Sequence, residues 1–124
     1  MKRDLDLIRE ILLKVESFEP ERLSDIQTFE PDSFSGNSAQ NVYHLNLLIG
    51  CGFVEEFGSR TLAQSIGVKG MSMAGHDFLD SIREPSIWQA TKARLSAAGG
   101  WTLELVAAVA KEELKRRLLG AIDS

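Results

Sequence analysis

The sequence predicts a mainly helical α+β fold, with a small β-hairpin set among helices and further helices toward the carboxyl end. Three observations carry this. Apolar residues recur at helical spacing in five segments, two short segments alternate in the manner of strands, and glycines and prolines fall between them. A chain of 124 residues can bury a core without disulfides or a structural metal. Its 44% hydrophobic and 26% charged residues exclude wholesale disorder.

Leu5, Ile8, Leu12 and Val15 follow i, i+3, i+4 spacing, with Leu7 and Ile11 widening the stripe. A helix is therefore expected up to about Phe18, ahead of Pro20, with Asp4 and Asp6 at the positive end of its dipole. Asp25 to Phe29 alternates like a short strand limited by Pro31, and the run 32–37 is turn-rich. Ser38 to Cys51 reads as the second helix. Its expected buried stripe is Val42, Leu45, Leu48 and Ile49, with Asn41, His44 and Asn46 elsewhere on its circumference. Gly52 suits the left-handed residue that ends a helix.

Phe53 to Phe57 reads as a strand and Gly58-Ser59-Arg60 as a turn. The returning strand is expected over Ala63 to Ile66 or over Val68 to Ser72. A third helix from Ala74 carries Phe78, Leu79 and Ile82 and stops at Pro85. A fourth opens at Ser86-Ile87-Trp88 with Trp88, Thr91 and Leu95 on related faces. Ala97-Ala98-Gly99-Gly100 breaks it, and the last helix begins near Trp101-Thr102 with Leu103, Val106, Ala110, Leu114 and Leu118 as its stripe. Lys111, Lys115, Arg116 and Arg117 gather toward its expected carboxyl end, as the dipole favours. No repeat, low-complexity tract or long linker divides the chain. The expectation is one domain over 1–124, made of a core over 1–73 and a helical extension over 74–124 packed on it.

Composition also narrows the function. The lone Cys51 cannot form an internal disulfide and, among Leu47-Leu48-Ile49, is expected to be a buried thiol. The amino terminus lacks the apolar stretch of a signal peptide, and no run approaches the roughly 20 apolar residues that cross a bilayer, so a cytoplasmic protein without membrane contact is expected. A formal net charge of -4 counts against non-specific nucleic-acid binding, which rests on phosphate neutralisation. A local basic patch or a dimer would still focus positive potential.

The chemistry-bearing residues form no catalytic set. His76-Asp77 is adjacent in sequence, but neighbours on a helix point in different directions. The expectation is that Gly75 lets the chain into the helix tightly while His76 and Asp77 cover free amides of its first turn. His44, His76, Cys51 and Asp77 lack the close ligand pairs of a zinc site. Gly67, Gly70 and Gly75 lack the spacing of a phosphate-binding loop and read as turns and room for close packing. Trp88 and Trp101 read as packing residues that anchor the carboxyl-terminal helices. No enzyme, cofactor or metal is expected.

Helix, short strand, helix and two-stranded hairpin is the order of a winged helix, with one of its usual three helices reduced. At this point the opening Met1-Lys2-Arg3-Asp4-Leu5-Asp6-Leu7-Ile8-Arg9 is similar to the start of an uncharacterised bacterial and phage family, domain-of-unknown-function family 2513. Tyr43-His44-Leu45-Asn46-Leu47-Leu48, Gly52-Phe53-Val54-Glu55, Gly75-His76-Asp77-Phe78-Leu79-Asp80-Ser81-Ile82-Arg83 and Ile87-Trp88 with the Gly99-Gly100 break resemble it as well. The resemblance runs to the last helix and implies a winged-helix-like fold without an assigned reaction. The sequence departs from it at Met71-Ser72-Met73-Ala74, where the family tends to have a Leu-Thr step.

In a winged helix the element at Ser38 to Cys51 enters the major groove. Ser38, Gln40, Asn41 and His44 are then the candidate base-reading residues, since Asn and Gln pair bidentately with adenine. That helix contains no Lys or Arg, so Arg60 and Lys69 on the wing are the candidate phosphate contacts. The expected role is a DNA-binding transcriptional regulator of bacterial or phage origin, with double-stranded DNA as partner and a homodimer through the carboxyl-terminal helices. The alternative is a protein-interaction module on the same scaffold, with Lys111, Lys115 and Arg116 meeting an acidic partner.

Overall fold

The computed structural model describes residues 1–60 and 65–123, with side chains through residue 120. It is α+β and mainly helical, in the order α1 (Leu5–Ser17), β1 (Gln27–Phe29), α2 (Ser38–Gly50), β2 (Val54–Phe57), β3 (Ile66–Met71), α3 (Met73–Ile82), α4 (Pro85–Ala98) and α5 (Leu103–Asp123). The chain divides into two compact units, Met1–His76 and Asp77–Ser124.

In the first unit, the Asp4 carboxylate accepts the Leu7 amide at 3.1 Å and starts α1. The helix buries Leu7, Ile8, Ile11, Leu12 and Val15, close to the predicted stripe. The sheet has three strands rather than the predicted two-stranded hairpin. β3 lies between β1 and β2, antiparallel to both. The difference arises because Gln27–Phe29 pairs with Ile66–Val68, a non-local pairing that strand periodicity cannot signal. Of the two predicted positions for the returning strand, Val68 to Met71 lies within β3. The other, 63–66, lies outside the described residues except for Ser65 and Ile66. Between Glu55 and Glu56 the register slips so that Lys69 has no opposite residue; Gly70 follows it at φ 154°.

α2 begins in a reciprocal capping box. Asn37 accepts the Gln40 amide and the Gln40 side chain accepts the Asn37 amide, both at 2.8 Å. It ends as predicted at Gly52, in the left-handed region at φ 83°. The Phe53 amide reaches back to the Leu48 carbonyl at 2.9 Å and the Gly52 amide to Ile49 at 3.1 Å, which closes a Schellman motif. Cys51 is exposed, not buried as predicted, because it is the C-cap where the chain leaves the helix.

Ser72 starts α3. Its hydroxyl accepts the Gly75 amide at 3.1 Å and donates to the Gly52 carbonyl at 2.5 Å, while its amide donates to Phe53 at 2.9 Å. The capping role expected of His76 and Asp77 therefore belongs to Ser72, one turn earlier. Gly75 is the third residue of the helix, and its need is close packing: a Cβ there would sit 2.4 Å from the Phe53 carbonyl oxygen.

In the second unit Phe78, Leu79 and Ile82 of α3 are buried, as are Ile87, Trp88, Thr91 and Leu95 of α4. Glu84 caps α4, accepting the Ile87 amide at 2.9 Å, and Pro85 holds its first position. Gly99, at φ 81°, ends it. α5 buries Val106, Ala110 and Glu113, whereas Leu118, expected to extend the stripe, is exposed. α5 runs on to Asp123, so the basic residues at 111–117 lie in its middle and its last turn has none, contrary to the expected dipole match.

Candidate nucleic-acid interface

The two sides of α2 decide which of its side chains can meet a ligand. Asn41, His44, Leu45 and Leu48 are buried. Their spacing of three, one and three residues makes one helix face. Asn41 and His44 were expected to face outward, and the structure corrects this: they are 0% and 1% exposed. The reason lies in the irregular backbone beside them. Asn41 Nδ2 donates to the carbonyls of Pro31 and Gly36 at 2.7 and 2.8 Å, holding the loop between β1 and α2. Its Oδ1 is buried without a hydrogen-bond partner. The approach is tight, since a Cβ at Gly36 would lie 2.6 Å from Asn41 Oδ1.

His44 joins α2 to the start of α1. The Asp4 amide donates to Nε2 at 2.8 Å, and Nδ1 lies 2.7 Å from the Gln40 carbonyl oxygen. An amide cannot accept and a carbonyl cannot donate, so the ring is neutral and carries its proton on Nδ1.

The opposite side of α2 exposes Ala39, Gln40, Tyr43 and Asn46. Tyr43 stands edge-on to the His44 ring, with centroids 5.7 Å apart. Arg60 donates to Asn46 Oδ1, and its Nε lies 2.6 Å from the Glu56 carboxylate. At the amino end of α2, Lys2 and Arg3 line an open groove of about 600 Å³ together with Ser35, Gly36 and Gln40. Basic side chains thus lie near both ends of this exposed face, Arg60 in an ion pair with Glu56, although α2 itself has none.

The other predicted residues fall as follows. Ser38 is exposed and its hydroxyl donates to the Asp32 carboxylate; Gln40 is exposed and serves the capping box. Lys69 is exposed at the bulge of β3. Lys111 and Lys115 are exposed on α5. Arg116 is paired with Glu112 and Glu113 at 3.4 and 3.5 Å. His76 faces Glu16, at 4.0 Å, rather than Asp77. Among the described residues no group of three or more His, Cys, Asp or Glu is arranged to hold a metal, and no helix is long and apolar enough to cross a membrane. Asn46 was expected off the buried stripe and is exposed; Tyr43, Lys2 and Arg3 were not picked out, although the phase 39, 43, 46, 50 was there to mark the outward side of α2.

The family model described as "Hypothetical protein (DUF2513)" matches residues 2–101. The chain belongs to the DUF2513 family. A family relative, an uncharacterised protein of Haemophilus influenzae, is 36% identical over 99 residues, covering 78% of this chain and 80% of the relative. No solved structure matches the chain. The match to DUF2513 takes in α1 through α4 and ends before α5.

Proposed function

We propose that this DUF2513 protein is a winged-helix DNA-binding regulator, cytoplasmic and without enzymatic activity, in which α2 is the recognition helix. The element order α1, β1, α2, β2, β3 supports the reading, as does the antiparallel sheet with β3 in the middle. The loop at 30–37, held by Asn41, stands in for the middle helix of the usual three. The observation that carries the proposal is the exposed side of α2. Gln40, Tyr43 and Asn46 present hydrogen-bonding groups there, with Lys2 and Arg3 near one end and Arg60 near the other. Gln40, Tyr43 and Asn46 meet base edges, while Lys2, Arg3, Arg60 and Lys69 meet phosphate. The residues first expected to read bases are revised accordingly: Gln40 stays, Ser38 flanks, and Asn41 and His44 position the helix.

Fluorescence anisotropy of a labelled duplex, titrated at several salt concentrations, tests this. Four phosphate contacts give a log–log slope of roughly -3 to -4. Lys2→Ala with Arg3→Ala flattens that slope by about 2, and Asn46→Ala weakens binding with the slope unchanged. Folded protein that binds no duplex at low salt rejects the reading. The protein-interaction module then takes its place, a reading favoured by the net charge of -4 and the lack of Lys and Arg in α2.

A further inference from the structure

α5 carries a second ordered surface. Leu105, Ala108, Glu112, Lys115 and Leu119 succeed one another at intervals of three and four residues, which sets them in one line along the helix. All five are exposed, and the line is turned away from the buried Val106, Ala110 and Glu113. Its two leucines are 41% and 59% exposed, and Leu118 beside Leu119 is 63% exposed. Leu118 and Leu119 form an exposed apolar pair near the end of a charged helix, which calls for a partner more than a single residue does, while Leu105 stands about 21 Å away along the helix.

The order of the line specifies that partner. It reads apolar, small, acidic, basic, apolar. Laid antiparallel on a copy of itself about the midpoint between Glu112 and Lys115, each Glu112 faces the Lys115 of the other copy. Each Ala108 then faces the other copy's Leu119, small against large. Laid parallel, Glu112 would meet Glu112 and Lys115 would meet Lys115, and like charges in contact oppose association. A surface that complements its own two-fold image is what an isologous dimer requires. Glu112 is also held in position, since Arg94 and Arg116 lie 3.3 and 3.4 Å from its carboxylate while it stays 55% exposed.

We infer that α5 pairs antiparallel with α5 of a second copy along Ala108, Glu112, Lys115 and Leu119, forming a homodimer. The line has few apolar residues, so the contact falls below the standard interface of about 1,600 Å² and the dimer is weak, with a Kd on the order of 10–100 μM. The inference is independent of DNA binding: a monomer leaves the duplex titration standing, and failure of that titration leaves the dimer standing.

Sedimentation equilibrium of the full chain, over a range spanning that Kd, reads the effect. The expected weight-average mass rises with concentration from 13.7 kDa toward twice that value. Lys115→Glu weakens association by about 10-fold or more, and Leu119→Glu does the same, with helical circular dichroism unchanged. Glu112→Lys is also monomeric alone, but mixed with Lys115→Glu it forms a heterodimer, because both charge pairs are then opposite. A wild-type chain that stays monomeric across the range overturns the inference. So does a dimer that Lys115→Glu and Leu119→Glu leave intact. If Glu112→Lys does not fold, because it sits among Arg94 and Arg116, the other two variants decide the matter.

Discussion

Asn41 and His44 in the first unit and Glu113 in the second are all buried, yet they hold different things in place. Asn41 and His44 are neutral and bond to main chain outside their own helix, the Pro31 and Gly36 carbonyls and the Asp4 amide, with His44 Nδ1 also returning to the Gln40 carbonyl within it. Glu113 is paired with arginines, Arg94 at 3.1 Å and Arg116 at 3.5 Å, both of which reach solvent. The other buried polar residues of the second unit, Ser81 and Thr91, return their hydroxyls to carbonyls of their own helices at 2.6 and 2.7 Å. The contrast follows from backbone regularity. A helix satisfies its own amides and carbonyls, so polar side chains inside it need only local partners. The loop at 30–37 and the chain before α1 have no such ladder, and side chains must supply the missing partners.

The largest effect is therefore expected where removal of a side chain strands main-chain groups. Asn41→Ala leaves the Pro31 and Gly36 carbonyls without a donor and opens a cavity, at a cost of about 2–4 kcal/mol in urea unfolding. A loss under about 1 kcal/mol would break the contrast, since it would mean that the loop does not depend on Asn41. Gly75→Ala tests the same unit sterically. The added methyl meets the Phe53 carbonyl oxygen, so a loss of about 1–3 kcal/mol and a lower Tm are expected.

Effects in the second unit are smaller. Arg94→Ala leaves Glu113 with Arg116 as partner, and a smaller loss than that of Asn41→Ala is expected, shrinking as salt is added. The smallest belongs to Glu84. Its hydrogen bonds from the Ser86 hydroxyl and the Ile87 amide, with Arg117 nearby, hold its carboxyl below the ordinary 4.5. Because the folded value lies below the unfolded one, Glu84 stabilises the fold above 4.5, and the contribution is lost as pH falls through that value and below. Glu84→Gln should consequently cost stability near neutral pH and cost nothing in acid, as thermal melts across pH would show. A cost independent of pH would assign the effect to packing instead.

The limits of the sequence are clearest in α2. The buried side of α1 was legible because apolar residues alone mark it. In α2 the phase 41, 44, 45, 48 is equally regular, but two of its members are polar, and polarity was read as a sign of exposure. What makes them buried is a loop and a chain end brought beside them by the tertiary fold. The exposed side of the candidate site was partly obscured for the same reason, since Tyr43 stands out only once the buried side is known, although Asn46 was already placed off the buried stripe. Ser72 was legible in principle as a helix-capping residue. The helix begins at Met73, one residue from the expected Ala74, but the polar pair His76-Asp77 was the more conspicuous capping candidate. The pairing of β1 with β3 and the groove lined by Lys2 and Arg3 depend on contacts between distant segments, which no local pattern records.

Ser72 has a consequence for motion as well as for architecture. Through its amide and hydroxyl, this one residue is bonded to the main chain just past the end of α2 and to the first turn of α3. Opening one junction removes partners from the other, so the two helix ends form one cooperative unit. In native-state hydrogen exchange, the amides of Phe53 and Gly75 would then report a single opening free energy. The base of the β2–β3 hairpin is thereby coupled to the helix that follows it, and the hairpin is the less free to bend there on its own.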